Sequence, residues 1–244
     1  MNPIGVVICN YNKKDFVLQC VQSVLESKEK NFDIYVVDNA SSDGSAEALK
    51  KAYGNRITVI ENKENLGGSG GFNTGLRIVR DKGYSYFMCL DDDAAVDENA
   101  LSVLYHYMEE HTDTGMAGCR VYHTQMPDYI QQSGLLIDFD NCTAKTIGAD
   151  MPEDGSLPDV IECDTVATCA VMVRADTVKQ KGVGIMPEDN FIYWDDMEWG
   201  YRIKLAGYRV VTLAEAKALH QMGANTKKEN TFINYYMWRN LSLI

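Results

Sequence analysis

FMCLDDDAAVD, residues Phe87 to Asp97, is the stretch on which the reading of the fold turns. An apolar, strand-like run ends in three adjacent carboxylates. Like charges side by side repel, and each resists leaving water. A helix N-terminus, a divalent cation or bulk water can compensate them. Asp97 can cap the helix that reads from Asn99 to His111, which accounts for one acid but not for three stacked at a strand end. An Asp-x-Asp pair on a bent loop can instead offer two oxygen ligands to one hard divalent cation.

Outward from the triplet, strand and helix patterns alternate. YSYFMCL (Tyr84–Leu90) is one strand. Before it, IGVVIC (Ile4–Cys9), DIYVVD (Asp33–Asp38) and RITVIE (Arg56–Glu61) are short β-branched runs. FVLQCVQSVL (Phe16–Leu25) places Val17, Val21 and Val24 on one helical face. SSDGSAEALKKAYG is a second helix, with Asp43 or Ser45 as N-cap and Gly54 past its end. A third helix is expected over Phe72–Lys82, after a glycine-rich turn. This alternation predicts an α/β fold, a mostly parallel sheet flanked by helices in a single domain. Such sheets bind ligands at the carboxyl ends of their strands. Here those ends carry Asn10-Tyr11-Asn12, Asp38-Asn39, Glu61 to Gly75 and Asp91 to Asp93, so four loops should converge on one crevice. Beyond the triplet the pattern is less regular. Strands are expected over Gly115–Tyr122 and in Val160–Arg174, with a polar, loop-rich stretch from Tyr129 to Pro158 between them. A helix over Asp196–Ala206, closed by Gly207, and a strand over Tyr208–Leu213 follow.

The 244 residues suit one large domain, and 45% hydrophobic with 24% charged residues is ordinary for a globular protein. A net charge of −12 argues against a nucleic-acid backbone as partner. None of the seven cysteines forms a C-x-x-C pair, so they read as reduced thiols, most of them in the core. Ile4–Cys9 is too short for a signal peptide and has no basic residues before it. No segment reaches the roughly 18 apolar residues of a membrane span. The expected address is the cytoplasm.

Three further pieces carry chemistry. ENLGGSGGFNTG (Glu64–Gly75) is neither a P-loop nor a G-x-G-x-x-G fingerprint, but its small residues let backbone amides approach a ligand. In IYWDDMEWGYRIKLAGYRV (Ile192–Val210), Asp195 and Asp196 open a helix between Trp194 and Trp199. Glu198 pairs with Arg202 at i,i+4. One aspartate caps the helix; the other, beside an indole and partly desolvated, can act as a general base. Trp199 reads as core and Trp194 as an apolar face for a sugar. His220, just past the last strand, is placed for a third metal ligand, whereas His106, His111 and His123 read as ordinary.

Taken in order, VVICNYNK (Val6–Lys13), YVVDNASSDGS (Tyr35–Ser45), NLGGSGGFNTGL (Asn65–Leu76), CLDDDA (Cys89–Ala94), YWDDMEWGYR (Tyr193–Arg202) and His220 resemble the family 2 inverting glycosyltransferases and their Rossmann-like GT-A fold. The triplet, the WDD-x-E run and YYMWRN (Tyr235–Asn240) look most like bacterial galactofuranosyl- and rhamnosyltransferases. The resemblance implies Asp91, Asp93 and His220 as ligands of Mn²⁺ or Mg²⁺, with Asp92 facing ribose or sugar. It implies that Asn10, Tyr11, Asn12 and Asp38 hold the nucleoside, and that Asn65, Gly67 and Asn73 lie in a loop closing over it. Asp196 would be the base, with Asp195 as neighbour and alternative. The implied partners are a UDP- or dTDP-linked sugar and a glycan or lipid-linked acceptor. Residues 1–125 would form the nucleotide-sugar half and 126–244 the acceptor and catalytic half. A region beyond Ile244, absent from a truncated C-terminus, would bring the protein to the inner face of the membrane. A sugar-nucleotide nucleotidyltransferase should show a glycine- and arginine-rich loop where Asn10-Tyr11-Asn12-Lys13 stands. A non-catalytic binding module would have no need of Asp195 and Asp196.

Overall fold

The computed structural model describes residues 3–141, 143–221 and 231–241. In chain order the elements are β1 (Ile4–Asn10), α1 (Lys14–Glu26), β2 (Phe32–Asp38), α2 (Ser45–Tyr53), β3 (Thr58–Glu61), α3 (Gly67–Lys82), β4 (Tyr86–Asp91), β5 (Ala94–Val96), α4 (Ala100–Glu110) and β6 (Thr114–His123). There follow β7 (Met126–Gln132), β8 (Leu135–Asp138), β9 (Thr143–Thr146), β10 (Met151–Pro152), β11 (Val160–Glu162), β12 (Ala170–Arg174), α5 (Ala175–Val178), α6 (Asp195–Leu205), β13 (Arg209–His220) and α7 (Thr231–Leu241).

The central sheet runs β10-β7-β6-β12-β4-β1-β2-β3, with β13 on β6 and with β5 and β11 on β13. β3, β2, β1 and β4 are mutually parallel, and β13 lies parallel to β6. β12 enters antiparallel between β4 and β6. Strands β1 and β4 are buried almost throughout, as continuous apolar runs covered on both faces must be. Alternation along β1 assigns the layers. Ile4, Val6 and Ile8 pack with α1, α2 and α4, while Val7 packs with α3, α5 and α6. The expected α/β sheet flanked by helices is therefore present as one three-layered domain.

Several local expectations are corrected. α3 begins at Gly67, five residues before Phe72, so most of the glycine run is helix rather than turn. The physical reason is close packing. A Cβ at Gly71 would overlap Cys9 Sγ, and one at Gly75 would overlap Val7 Cγ1. Gly44, in the left-handed region, occupies the N-cap position of α2 instead of Asp43 or Ser45; Asp43 accepts the amides of Ser45 and, at 2.9 Å, of Lys14, tying the starts of α1 and α2 together. Asn99, not Asp97, precedes α4, and Asp97 Oδ1 accepts its backbone amide. The stretch from Tyr129 to Pro158 holds the end of β7, the separate β8–β9 hairpin and β10, and Val160–Arg174 splits into β11 and β12. β13 continues seven residues past Leu213, so His220 ends the strand. Trp199 is fully buried, its indole donating to Gly184 O. Cys9, Cys20, Cys89, Cys119, Cys163 and Cys169 are free thiols; Cys142 and residues 242–244 of the C-terminal apolar run lie outside the described residues. Among the described residues no helix is long and apolar enough to cross a membrane.

In an exposed helix, Gly75→Ala would gain about 1 kcal/mol. Against Val7 it should instead cost about 1–3 kcal/mol by overpacking, read as a lower midpoint at unchanged slope in urea unfolding. A neutral or stabilising result would show that α3 is not held against β1 as described.

Candidate active site

Compensation of the acidic triplet comes from two distant parts of the chain, the turn after β1 and the end of β13. β4 delivers Asp91 to the sheet edge, Asp92 and Asp93 make the turn, and β5 pairs antiparallel with β13, setting His220 opposite Ala94. That register brings His220 Nε2 to 3.2 Å from Asp93 Oδ1 and 3.7 Å from Asp91 Oδ2. Lys13, just past β1, places Nζ 3.0 Å from Asp92 Oδ1 and 2.7 Å from Asp93 Oδ2. The Tyr11 amide donates to Asp92 Oδ2 at 3.0 Å. Burial opposes charge throughout the cluster. It pushes Asp91 up, and Asp92 up to about 6 despite Lys13. Burial would raise Asp93 too, but its hydrogen bond to His220, with the charges of His220 and Lys13, holds it below the usual carboxylate range. Burial pulls His220 down, and Asp93 and Asp91 more than reverse it.

Asp91, Asp93 and His220 offer ligand atoms within 4.8 Å of one another. His220 Nδ1 donates to Gln131 Oε1 at 2.7 Å, which fixes the ring and presents Nε2 to the two acids. Two carboxylates and an imidazole oriented through its other nitrogen fit a divalent cation.

Beside this cluster lies a crevice of about 340 Å³ at the ends of β1, β2 and β4, lined in part by Tyr11, Lys13, Asn39, Asn65, Gly67 and Asp92. Asn10 is buried, donating to Ser41 Oγ at 3.1 Å, and its Oδ1 has no partner among the described residues. Asn12, exposed and in the left-handed region, accepts the Ser42 amide; Asp38 accepts the Ser41 amide. The structure thus brings Asn10, Tyr11, Asn12, Asp38, Asn65, Gly67 and Asp92 to one strand edge. Asn73 sits elsewhere. It is buried in α3, donating to Met186 O and Glu188 and accepting from the Met186 amide, so it ties helix to loop.

The second acidic pair stands at the start of α6. The preceding loop is strained: Phe191 (φ 61°), Tyr193 (φ 65°) and Trp194 (φ 65°) all occupy the left-handed region, at about 1–2 kcal/mol each for bulky residues. Such strain persists only where surrounding contacts hold it. Asp195 is buried and accepts the Ser69 hydroxyl at 3.0 Å. Asp196 Oδ1 accepts the Met197 amide at 2.8 Å. Burial, then the charge of Asp195, pushes the Asp196 carboxyl up to about 7. Trp194 is only 7% exposed, so it offers a ligand little ring face, and its indole N–H has no partner among the described residues. Glu198 pairs with Arg202 as expected and also accepts from Asn190.

Lys13, Asn39, Ser69 and Gln131 were not singled out by the sequence. Asn39 bonds Asn62, Asn65, Leu66 and Gly67, organising the whole turn into α3. Its position directly after Asp38 at a strand end was the available signal. Gln131 had none, lying in a stretch expected to be loop.

Comparison with known proteins gives one consistent result. The profile described as Glycosyl transferase family 2 matches residues 5–171. The teichoic acid poly(glycerol phosphate) polymerase of Staphylococcus epidermidis is 27% identical over 146 residues, 58% of this chain and 19% of that protein. Among solved structures, the mannosyltransferase PcManGT from Pyrobaculum calidifontis, in complex with GDP-Man and Mn²⁺, aligns with a TM-score of 0.67 at 16% identity, over 98% of this chain and 60% of that one. GalNAc-T7 with UDP, GalNAc and Mn²⁺ aligns with a TM-score of 0.72 at 13% identity, over 98% and 47%. At such identities the likeness is one of fold, that of the GT-A glycosyltransferases. The chain spans less than two thirds of the length of each of these proteins.

Because the Asp196 carboxyl is raised from 3.8 to about 7, the folded protein holds that proton more tightly than the unfolded chain. Its effect on stability is therefore absent near pH 4, and stability falls as pH rises towards 7. Asp196→Asn removes this penalty. At pH 8 the variant should be about 1–3 kcal/mol more stable than the parent, and near pH 4 the two should be equal, by denaturant unfolding. An identical difference at both pH values would show that Asp196 is not desolvated.

Proposed function

The chain belongs to glycosyl transferase family 2, and on that premise we propose that it transfers a sugar, with inversion, from a nucleoside-diphosphate donor to an acceptor hydroxyl. One observation carries this reading: a cluster of three metal-type ligands and a desolvated carboxyl stand close enough that Asp91 helps to raise Asp196. A carboxyl with a pKa of about 7 is partly ionised at neutral pH yet basic enough to accept a proton. In the proposed step, Asp196 Oδ2 takes the acceptor O–H proton. The freed oxygen pair forms the new bond to the anomeric carbon. The bond from that carbon to the diphosphate breaks on the opposite face, and its electron pair leaves with the nucleoside diphosphate. Asp91, Asp93 and His220 would hold Mn²⁺ or Mg²⁺; when bound, the cation neutralises charge on the diphosphate. Asn10 to Lys13, Asp38 and Asn39 hold the nucleoside and ribose in the crevice. Ser69 keeps Asp195 fixed beside the base.

Manganese in both structural neighbours, with UDP in one and GDP-Man in the other, supports the donor class. The name of the staphylococcal relative supports a cell-wall polymer or its lipid-linked precursor as acceptor. For the sugar, the resemblance through YWDDMEWGYR and YYMWRN favours galactofuranose or rhamnose, hence UDP or dTDP as carrier. On this reading residues 1–125 supply donor contacts, and 126–244 supply the base and acceptor contacts.

Calorimetric titration of UDP, dTDP and GDP with and without Mn²⁺ tests the reading. One nucleotide should bind only with the metal, Asp93→Ala should abolish that binding, and Gln131→Leu should weaken it about 10–100-fold by freeing the His220 ring. Absence of binding by all three nucleotides would overturn the proposal.

A further inference from the structure

The loop that aims the acidic pair is held from outside by α7. Asn240, fully buried, directs its single amide nitrogen at three backbone carbonyls, those of Asn190, Ile192 and Tyr193, each at 2.8 Å. Arg239 donates to the next carbonyl along, that of Asp189. Phe191 stacks on Tyr236 with ring centroids 5.1 Å apart. These contacts bracket the left-handed residues Phe191, Tyr193 and Trp194, and α6 begins directly after them. Left-handed geometry at bulky residues relaxes unless it is held, and carbonyls turned to one side need a donor there. Relaxation at Tyr193 or Trp194 would rotate the first turn of α6, which carries Asp195 and Asp196.

We propose that Asn240 is a positioning residue for the reaction: by gathering three carbonyls it locks the loop from Asn190 to Trp194 in the one conformation that aims Asp195 and Asp196 at the donor crevice. The proposal rests on Asp196 as the base. It makes α7, distant in sequence from both acids, part of the catalytic apparatus.

Asn240→Asp isolates the effect, since it keeps the shape of the side chain but replaces the donor by an acceptor facing three carbonyl oxygens. The readout is the midpoint of the Asp196 carboxyl by ¹³C NMR, together with nucleotide affinity in Mn²⁺ by calorimetry. Asp195 on the same helix, Asp91 at the end of β4 and the Cys169 thiol ahead of β12 are the titratable groups that feel or set this midpoint. In the variant the midpoint should fall by at least one pH unit, a tenfold change in proton affinity, as the carboxyl swings into water. Nucleotide affinity should stay within about twofold. A merely structural contact would lower the melting temperature and leave the midpoint where it was, and that result overturns the proposal. So does an equal loss of nucleotide affinity, which would assign α7 to the donor crevice. If Asn240→Asp is too unstable to titrate, Asn240→Ala, which admits water to the carbonyls, is read by the same two criteria. Failure of the parent protein to bind any nucleotide would sink the transferase reading separately, because the Asp196 midpoint is measured without nucleotide.

Discussion

Electrostatic neutralisation of Asp91, Asp92 and Asp93 is the constraint around which the molecule is arranged. Three carboxylates at the end of a buried strand cannot be left to water, and the chain meets them from two directions. Lys13 arrives from the first strand–helix connection, the Tyr11 amide from the same turn, and His220 from the last strand of the sheet. Each of these needs an element to be in place: β1 beside β4, and β13 reaching far enough along β6 to pair with β5. A sheet that had closed without the β5–β13 pairing would still have a core. It would lack the imidazole that shares Asp93 with Lys13.

Much of the first half was legible because a parallel sheet announces itself. Buried strands are continuous apolar runs, helices carry a period of 3.6, and strand ends mark the crevice. The second half was less legible for physical reasons. β10 and β11 are short, and they and β7 are antiparallel and largely exposed, so neither burial nor alternation marks them. The α3 boundary was missed because glycine disfavours helix, yet glycine is what the approach of α3 to β1 requires. At the site, residue types that bring chemistry with them (adjacent acids, a histidine, a tryptophan beside aspartates) could be picked out singly. Lys13, Asn39, Ser69 and Gln131 could not, since their roles depend on partners between 23 and 126 positions away.

Asp93 and Asp196 are handled in opposite ways. Positive charge and donors keep Asp93 ionised, while burial raises its neighbours Asp91 and Asp92. Asp196 is half-buried beside the buried Asp195, with one backbone amide on a single oxygen and no cation paired to it among the contacts described. One environment holds a proton off and the other invites it. The same end of the sheet therefore contains both an anchor for charge and an acceptor for a proton, a division of labour set by neighbours rather than by residue type.

The glycine run of α3 has a consequence for how such a crevice can diverge. At Gly67 a methyl group would overlap Phe191 of the loop before α6, and at Gly71 the Cys9 thiol of β1, so both positions are closed to side chains. Gly68, beside them, lines the crevice and has room for one. Substitution at the closed positions can only push the helix away from its neighbours; it cannot reshape the cavity for a different occupant. Retuning of what the crevice accepts falls to Gly68 and to the opposite rim, where Tyr11 and Asn12 stand exposed at the end of β1. Part of the cleft wall is thus a fixed die, and the rest is what a lineage or an engineer can recut.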